Sequence, residues 1–128
     1  MNLLLDTHLL LWCASEPSKL SQEAIRLINN PSHCLYFSAA SIWEVTIKQG
    51  LNRDDFSVDP YLLRRGLIDN GFIELPITSQ HTLNIINLPS IHKDPFDRLL
   101  IAQAEVEGFL LLTHDNLVAQ YPGPIRKV

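Results

Sequence analysis

The chain has 128 residues, the length of one ordinary domain, and its 46% hydrophobic and 19% charged residues are a composition that can form a core. The two cysteines, Cys13 and Cys34, form no Cys-x-x-Cys pair, which argues against a disulfide framework and a zinc finger. The net charge of −4 argues against a strongly basic surface, and no apolar stretch is long enough for a transmembrane helix. We therefore expect a single domain over residues 1–128, in the reducing cytoplasm and without a membrane span.

The first half of the chain alternates apolar strands with amphipathic helices. A short apolar run that ends in an acid predicts a buried strand, and Ser21 is a typical helix N-cap. In chain order we predict a strand at 2–6, a helix at 7–14, a helix from 21 to 29, a strand at 33–37 and a helix at 38–49 that Gly50 ends.

The second half continues the same alternation. Pro60 and Pro95 each stand at the favoured first position of a helix, and Gly108 follows the clearest helix of the chain. We predict a polar loop at 52–57, a helix at 60–70, a strand at 72–77, a helix at 79–87, a loop at 88–93, a helix at 94–107, a strand at 109–113 and an edge strand at 125–128. Continuous apolar strands such as 110–112 are typical of a parallel sheet that is covered on both faces.

Five acids fall where this fold would bring them together. Asp6 ends the first strand and Asp115 follows the fourth, while Asp94 and Asp97 open a helix. In an open parallel sheet, ligands bind beyond the carboxyl ends of the strands. Glu44 stands inside an apolar stretch, where a charge needs a partner or solvent. The sequence therefore predicts an acidic site at one edge of the sheet.

Crowded carboxylates have a chemical reason to share a site. They repel one another unless a cation is present, and their hard oxygen atoms prefer Mg²⁺ or Mn²⁺ to zinc. Such ions can bind a phosphate oxygen and activate a water, so that no nucleophilic side chain is required. The sequence has no GxSxG, P-loop, GxGxxG or HExxH motif. With four of the 14 acids set aside as ligands, ten remain, which equals the number of Lys and Arg residues, so the net charge is weak evidence against RNA.

Each acid also has a simpler interpretation. Asp6 and Asp115 could cap the segments that follow them, and Glu44 could be a solvated helix residue. Asp97 could be a first-turn acid that the helix dipole favours. For Asp94, immediately before Pro95, the capping interpretation is the favoured one. The joint placement of the acids, rather than any single one, supports a metal site.

Four segments carry a resemblance to a known family. They are LLLDTH at 3–8, SAASIWE at 38–44, HKDPFDRLLIAQA at 92–104 and LLTHD at 111–115. In order and spacing the sequence resembles the PIN-domain family, and in particular the VapC-like toxins of bacterial toxin–antitoxin pairs. The resemblance implies an α/β fold, a three-layer α/β/α sandwich with a small, mostly parallel sheet.

The resemblance also implies a function and its residues. It implies an endoribonuclease that depends on Mg²⁺ or Mn²⁺, with RNA as substrate and with a cognate antitoxin and a second copy of the chain as partners. The implied catalytic metal ligands are Asp6, Glu44, Asp97 and Asp115. The implied supporting residues are Thr7, Ser41, Asp94 and Thr113. The three hydroxyls would orient ligands or water, while no metal role for Asp94 follows from the matching string.

Basic residues and histidines near these segments are weaker candidates. Five basic residues are candidate RNA contacts, but their positions are explained equally well by a role in solubility or in salt bridges. They are Lys48, Arg64, Arg65, Lys93 and Arg98. Three histidines lie within two residues of a site acid, and ordinary rim residues are the favoured interpretation for His8, His92 and His114.

Two other functions remain open at this point. A non-catalytic PIN-like module could bind RNA or protein, although all four acids are present. A phosphoacceptor receiver domain shares the alternating plan, but receivers carry an acidic pair after the first strand, whereas Asp6 lies between Leu5 and Thr7.

Overall fold

The computed structural model describes residues 1–51 and 57–128, and the predicted loop at 52–57 lies outside them except for Ser57. The strands are β1 (Asn2–Leu5), β2 (Cys34–Ser38), β3 (Ile73–Leu75), β4 (Leu110–Thr113) and β5 (Ile125–Lys127). The α-helices are α1 (Thr7–Ser15), α2 (Gln22–Ile28), α3 (Ala39–Gly50), α4 (Pro60–Asp69), α5 (Ser79–Asn84) and α6 (Pro95–Glu107). Short 3₁₀ turns lie at Pro17–Lys19, Ile85–Asn87 and Val118–Gln120.

The five strands form one sheet in the order β3-β2-β1-β4-β5, and all four pairings are parallel. The central strand β1 pairs on both sides, with Leu4 opposite Tyr36 of β2 and Leu111 of β4. The predicted parallel sheet is therefore confirmed. No helix within residues 1–51 and 57–128 combines the length and apolarity needed to cross a bilayer.

Alternate residues of the sheet belong to two separate cores. Leu3 and Leu5 pack with Leu9 and Leu10 of α1 and with α4 on one face. Leu4 packs on the other face, in the cluster that includes α6. Because side chains along a strand alternate between faces, one strand serves both cores, and the result is the three-layer α/β/α sandwich that the resemblance implied.

Several element ends differ from the sequence prediction by one to three residues, and two of them have a clear local cause. Gly50 does not stand beyond α3 but within it, and the helix is capped by Leu51 in a right-handed conformation. β3 ends at Leu75 rather than at residue 77, because Pro76 has no N–H to donate to a neighbouring strand. Gly108 has the left-handed conformation expected after α6, with φ of 71°.

The topology opens a crevice between β1 and β4. From β1 the chain crosses to β2 on one side, whereas β4 pairs on the other side. Connections that leave in opposite directions separate at the carboxyl ends of the strands and leave room for a ligand there. Asp6 follows β1 directly, and His114 and Asp115 follow β4. All three residues therefore lie at this switch point.

Two glycine substitutions should change stability in opposite directions. Gly108→Ala should lower the free energy of unfolding by about 1 kcal/mol, because a left-handed backbone is strained with a Cβ even though no atom lies within 4 Å. Gly66→Ala, inside α4 and also without a neighbour within 4 Å, should raise it by up to about 1 kcal/mol. Urea denaturation measures both, and a stabilised Gly108→Ala protein would contradict the assigned helix end.

Candidate metal centre

Asp6 is held at the carboxyl end of β1 by both of its oxygens. Oδ1 accepts a hydrogen bond from the Leu9 N–H at 2.9 Å and so caps α1. Oδ2 accepts from the Thr113 hydroxyl at 2.6 Å and from the His114 N–H at 3.4 Å. The side chain is almost fully buried. Burial raises its pKa above the ordinary value, and these hydrogen bonds offset only part of that rise. The capping and site interpretations of Asp6 are therefore compatible.

Glu44 projects from the second turn of α3 and is buried. Its Oε1 accepts from the Thr7 hydroxyl at 2.9 Å, and its Oε2 lies 3.0 Å from the Lys48 ammonium one turn later. Thr7 Oγ1 also lies 2.9 Å from Ser41 Oγ. Thr7 therefore links the Ser41 hydroxyl to the Glu44 carboxylate.

Asp97 lies in the first turn of α6 and joins the site from the other core layer. Its Oδ2 lies 2.8 Å from His92 Nε2. The pKa of Asp97 is raised from 3.8 to about 6, mainly by burial and also by the charges of Asp94, Glu44 and Asp6, while the hydrogen bond with His92 lowers it. The acids of α3 and of the β1 end are therefore close enough to act electrostatically on Asp97.

Asp94 is the N-cap of α6. Its Oδ1 accepts from the N–H groups of Phe96 at 2.8 Å and of Asp97 at 3.2 Å, as the favoured interpretation predicted. Ligand atoms of His92, Asp94 and Asp97 nevertheless lie within 4.8 Å of one another, the only such trio among the described residues. One carboxylate oxygen of Asp94 therefore lies near ligand atoms of His92 and Asp97.

Asp115 connects to the site indirectly. Its Oδ1 accepts from the N–H groups of Leu117 at 2.8 Å and of Val118 at 3.0 Å, so it holds the turn that leads into the 3₁₀ segment Val118–Gln120. Its own N–H donates to Thr113 Oγ1 at 3.0 Å, and Thr113 in turn holds Asp6. Thr113 thus links the acid after β4 to the acid after β1.

The donor set fits a hard divalent cation. The buried groups are carboxylate and hydroxyl oxygens, and a cation would offset both the burial and the neighbouring charges that raise the pKa of Asp97. Asp6, Glu44 and Asp97 could hold such an ion, with Asp115 at the margin. Only His92 adds a nitrogen donor, which Mn²⁺ accepts more readily than Mg²⁺.

The five basic candidates have different surroundings. Lys48 pairs with Glu44 at the site, and exposed Lys93 directly precedes Asp94. The Arg98 guanidinium instead bonds to the Pro89 carbonyl at 2.9 Å and to the Tyr121 hydroxyl at 3.1 Å, so it anchors the loop before α6.

Arg64 and Arg65 lie on α4, in the layer opposite α6. Arg64 Nε lies 2.8 Å from Glu74 Oε1 of β3, and Arg65 Nε lies 4.0 Å from Asp69 Oδ2 on its own helix. Both contacts are surface ion pairs, which is the simpler of the two interpretations that the sequence allowed.

His92 contacts the site more closely than its sequence pattern indicates, since the pattern favours an ordinary rim residue. Its ring contacts Asp97, and its backbone N–H donates to the Tyr121 hydroxyl at 2.8 Å. The available signal was its position five residues before Asp97, in the loop that leads into α6. His8 and His114 do lie on the exposed rim, around Trp12.

Comparisons with known proteins agree with this fold. A profile of the PIN domain family matches residues 3–124. VapBC2 from Rickettsia felis, solved bound to a DNA fragment from its promoter, aligns with a TM-score of 0.73 and 12% identity over 99% of this chain and 98% of that chain. DNA-bound VapBC from Salmonella typhimurium gives 0.66 and 16% over 99% and 98%, and VapBC-1 from nontypeable Haemophilus influenzae gives 0.63 and 20% over 94% and 91%. No curated protein matches the sequence significantly.

Asp97→Asn should stabilise the metal-free protein at neutral pH. Since the folded pKa of about 6 lies above the ordinary 3.8, the wild type loses stability as the pH rises through this interval. The variant lacks that loss, so its advantage should be about 1–3 kcal/mol at pH 7 and vanish near pH 4. Denaturation in EDTA measures it, with exposed Asp69→Asn as the control that should show no such pH-dependent gain. A destabilised variant at pH 7 would show that Asp97 is not electrostatically strained.

Substitutions of Asp94 should separate capping from metal binding. Asp94→Ala should lower the free energy of unfolding by about 1 kcal/mol, within about 0.5–2, whereas Asp94→Ser should retain the cap. Calorimetric titration of Asp94→Ser with Mg²⁺ or Mn²⁺ should find an affinity reduced less than tenfold. A larger reduction would make Asp94 a fifth carboxylate ligand.

Proposed function

Because the chain belongs to the PIN-domain family, whose members are generally nucleases, we propose that it is a metal-dependent endoribonuclease and the toxin of a toxin–antitoxin pair. The observation that supports the proposal is the placement of Asp6, Glu44 and Asp97: Thr7, the neighbour of Asp6, donates to Glu44, and the charges of Asp6 and Glu44 contribute to the raised pKa of Asp97. Hydroxyls and N–H groups orient Asp6 and one oxygen of Glu44, while Lys48 contacts the other oxygen of Glu44 and His92 contacts Asp97.

Asp6, Glu44 and Asp97 would hold Mg²⁺ or Mn²⁺, and Asp115 would complete the set from the β4 side. When bound, the ion supplies charge that binds a phosphate oxygen and lowers the pKa of a coordinated water. The protein's contribution is orientation. Thr113 fixes one oxygen of Asp6 and the N–H of Asp115, and Thr7 fixes one oxygen of Glu44.

Lysines at the rim would receive the RNA backbone. Lys48 keeps its ammonium at Glu44, and Lys93 is exposed directly before the α6 cap, so both place positive charge beside the acids. Phosphate contacts from lysine supply affinity that does not depend on base sequence. Arg98 is better explained as the anchor of the loop that carries His92.

An antitoxin is the proposed protein partner, since the similar structures are VapBC complexes. The described residues include an apolar groove of about 550 Å³ between α1, α2 and α4, on the layer opposite α6. Its lining includes Leu20, Ile25, Leu62 and Phe72, with Leu62 67% and Ile25 37% exposed. An apolar helix of the antitoxin would suit this groove. A homodimer is proposed as well, on the resemblance alone.

The proposed compartment is the cytoplasm. RNA is available there, and the two thiols, Cys13 and Cys34, are unpaired in the structure, as they would be in a reducing environment.

Cleavage should depend on both the metal and the acids. The purified protein, free of any partner, should cut RNA with Mg²⁺ or Mn²⁺ and should be inactive in EDTA. Asp6→Asn should lower the cleavage rate by at least about a hundredfold, or roughly 3 kcal/mol of transition-state stabilisation. Asp69→Asn, which removes an exposed acid of α4, is the matched control and should keep the wild-type rate.

Two results would contradict the proposal. Metal-independent cleavage would overturn the mechanism, and a folded Asp6→Asn protein with near-normal rates would remove Asp6 from the site. A protein that binds metal and RNA but never cleaves would instead be the non-catalytic module.

A further inference from the structure

A second cavity adjoins the metal centre. It has a volume of about 350 Å³ and lies between α1, the segment after β4, and the end of β5. Its lining consists of His8, Trp12, His114, Asp115, Asn116 and Lys127. Asp115 belongs to both the cavity and the acidic site, and the N–H of the adjacent His114 lies 3.4 Å from Asp6 Oδ2. A molecule in the cavity would therefore lie beside the phosphate that the proposed nuclease cleaves.

One wall of the cavity is aromatic. His8 and Trp12 are four residues apart on α1 and share a face, with their ring centroids 6.4 Å apart. The His114 ring meets Trp12 edge-on with centroids 5.1 Å apart, and its Nδ1 lies 3.0 Å from the Val128 oxygen, which fixes its position. Trp12 is half-buried and packs partly against the core, so the wall is anchored rather than loose.

The opposite side of the cavity is polar and carries positive charge. Lys127 stands on β5 opposite Thr113, at the same edge of the sheet as the acids, and its ammonium bonds to the Asn116 side chain. Flat rings recognise other flat rings by stacking, and a neighbouring ammonium recognises phosphate. The volume is at the lower end of the range for small-molecule pockets, about 300–1,000 Å³, and suits one nucleotide.

We propose that this cavity binds one unpaired nucleobase of the RNA, stacked on Trp12, with an adjoining phosphate at Lys127. The inference rests on the proposed nuclease function, and it adds how the substrate is positioned over the acids. A base inside a duplex is already stacked and paired, so it cannot enter the cavity. The cavity therefore selects a nucleotide in a single-stranded segment next to the bond that is cut.

Fluorescence can test base binding without cleavage. The sequence has two tryptophans, so Trp43→Phe leaves Trp12 as the only indole. In EDTA at low salt, a single-stranded RNA hexamer should quench Trp12 fluorescence. The same hexamer with abasic positions should bind at least about tenfold more weakly, and a duplex of the same sequence should not quench. Equal affinity for the abasic strand, or no quenching by the hexamer, would overturn the proposal.

Kinetics gives an independent test in the wild type and three variants. Trp12→Leu should raise KM about tenfold, with Mg²⁺ affinity by calorimetry unchanged, and Trp12→Phe, which keeps a ring, should recover most of the loss. Tyr61→Leu removes an aromatic ring that is 86% exposed on α4 and should leave KM unchanged. Cleavage with an unaltered KM in Trp12→Leu would refute the base pocket alone. RNA quenching with base dependence but no cleavage would uphold the pocket and refute the nuclease.

If Trp12→Leu does not fold, His8→Ser serves in its place. His8 is exposed on the same face of α1, so its loss should leave the fold intact while it removes one side of the pocket. A rise in KM of about threefold or more supports the pocket, and an unchanged KM contradicts it.

Discussion

The constraint on which this fold depends is the mutual repulsion of carboxylates at the carboxyl edge of a sheet that is buried on both faces. Asp6 directly follows β1, the strand that pairs on both sides and contributes to both cores. Asp97 reaches the same place from α6, and its pKa is raised first by burial and then by the charges of the neighbouring acids. The burial of apolar side chains on both sides of β1 stabilises the fold and offsets the free energy that burying these carboxylates costs.

Backbone polar groups and hydroxyls limit that cost. Asp6 caps α1 and Asp97 lies in the first turn of α6, so the positive ends of two helix dipoles face the acids. The third helix of the site, α3, is fixed by Ser38, whose hydroxyl caps the helix and donates at 2.6 Å to Gln103 Oε1 of α6. This fully buried bridge ties the helix that carries Glu44 to the helix that carries Asp97.

Local patterns predicted most of the fold and the position of the main acids. Apolar runs gave the strands, and the Asp-Pro pair gave the cap of α6, because each of these is decided within a few residues. Contacts between distant segments could not be predicted. The Lys48–Glu44 pair on one helix was accessible from spacing, but the anchoring of Tyr121 by Arg98 depends on how α6 packs over the last turn of the chain. The link of Asp115 to Asp6 likewise depends on a distant contact, because Thr113 of β4 and Asp6, which follows β1, are 107 residues apart in the chain.

An acidic domain that acts on a polyanion needs its charges in a particular arrangement. The net charge of −4 would repel RNA if the acids were spread evenly over the surface, but Asp6 and Glu44 are buried, in one acidic cluster with the partly buried Asp97. Lys48, Lys93 and Lys127 lie around that cluster. In the proposed function, the metal-free cluster repels a phosphate, and a bound divalent cation offsets much of that negative charge at the same point. The surrounding lysines and the aromatic wall at Trp12 bind the strand without the metal, and the cation adds the attraction that holds the scissile phosphate at the acids.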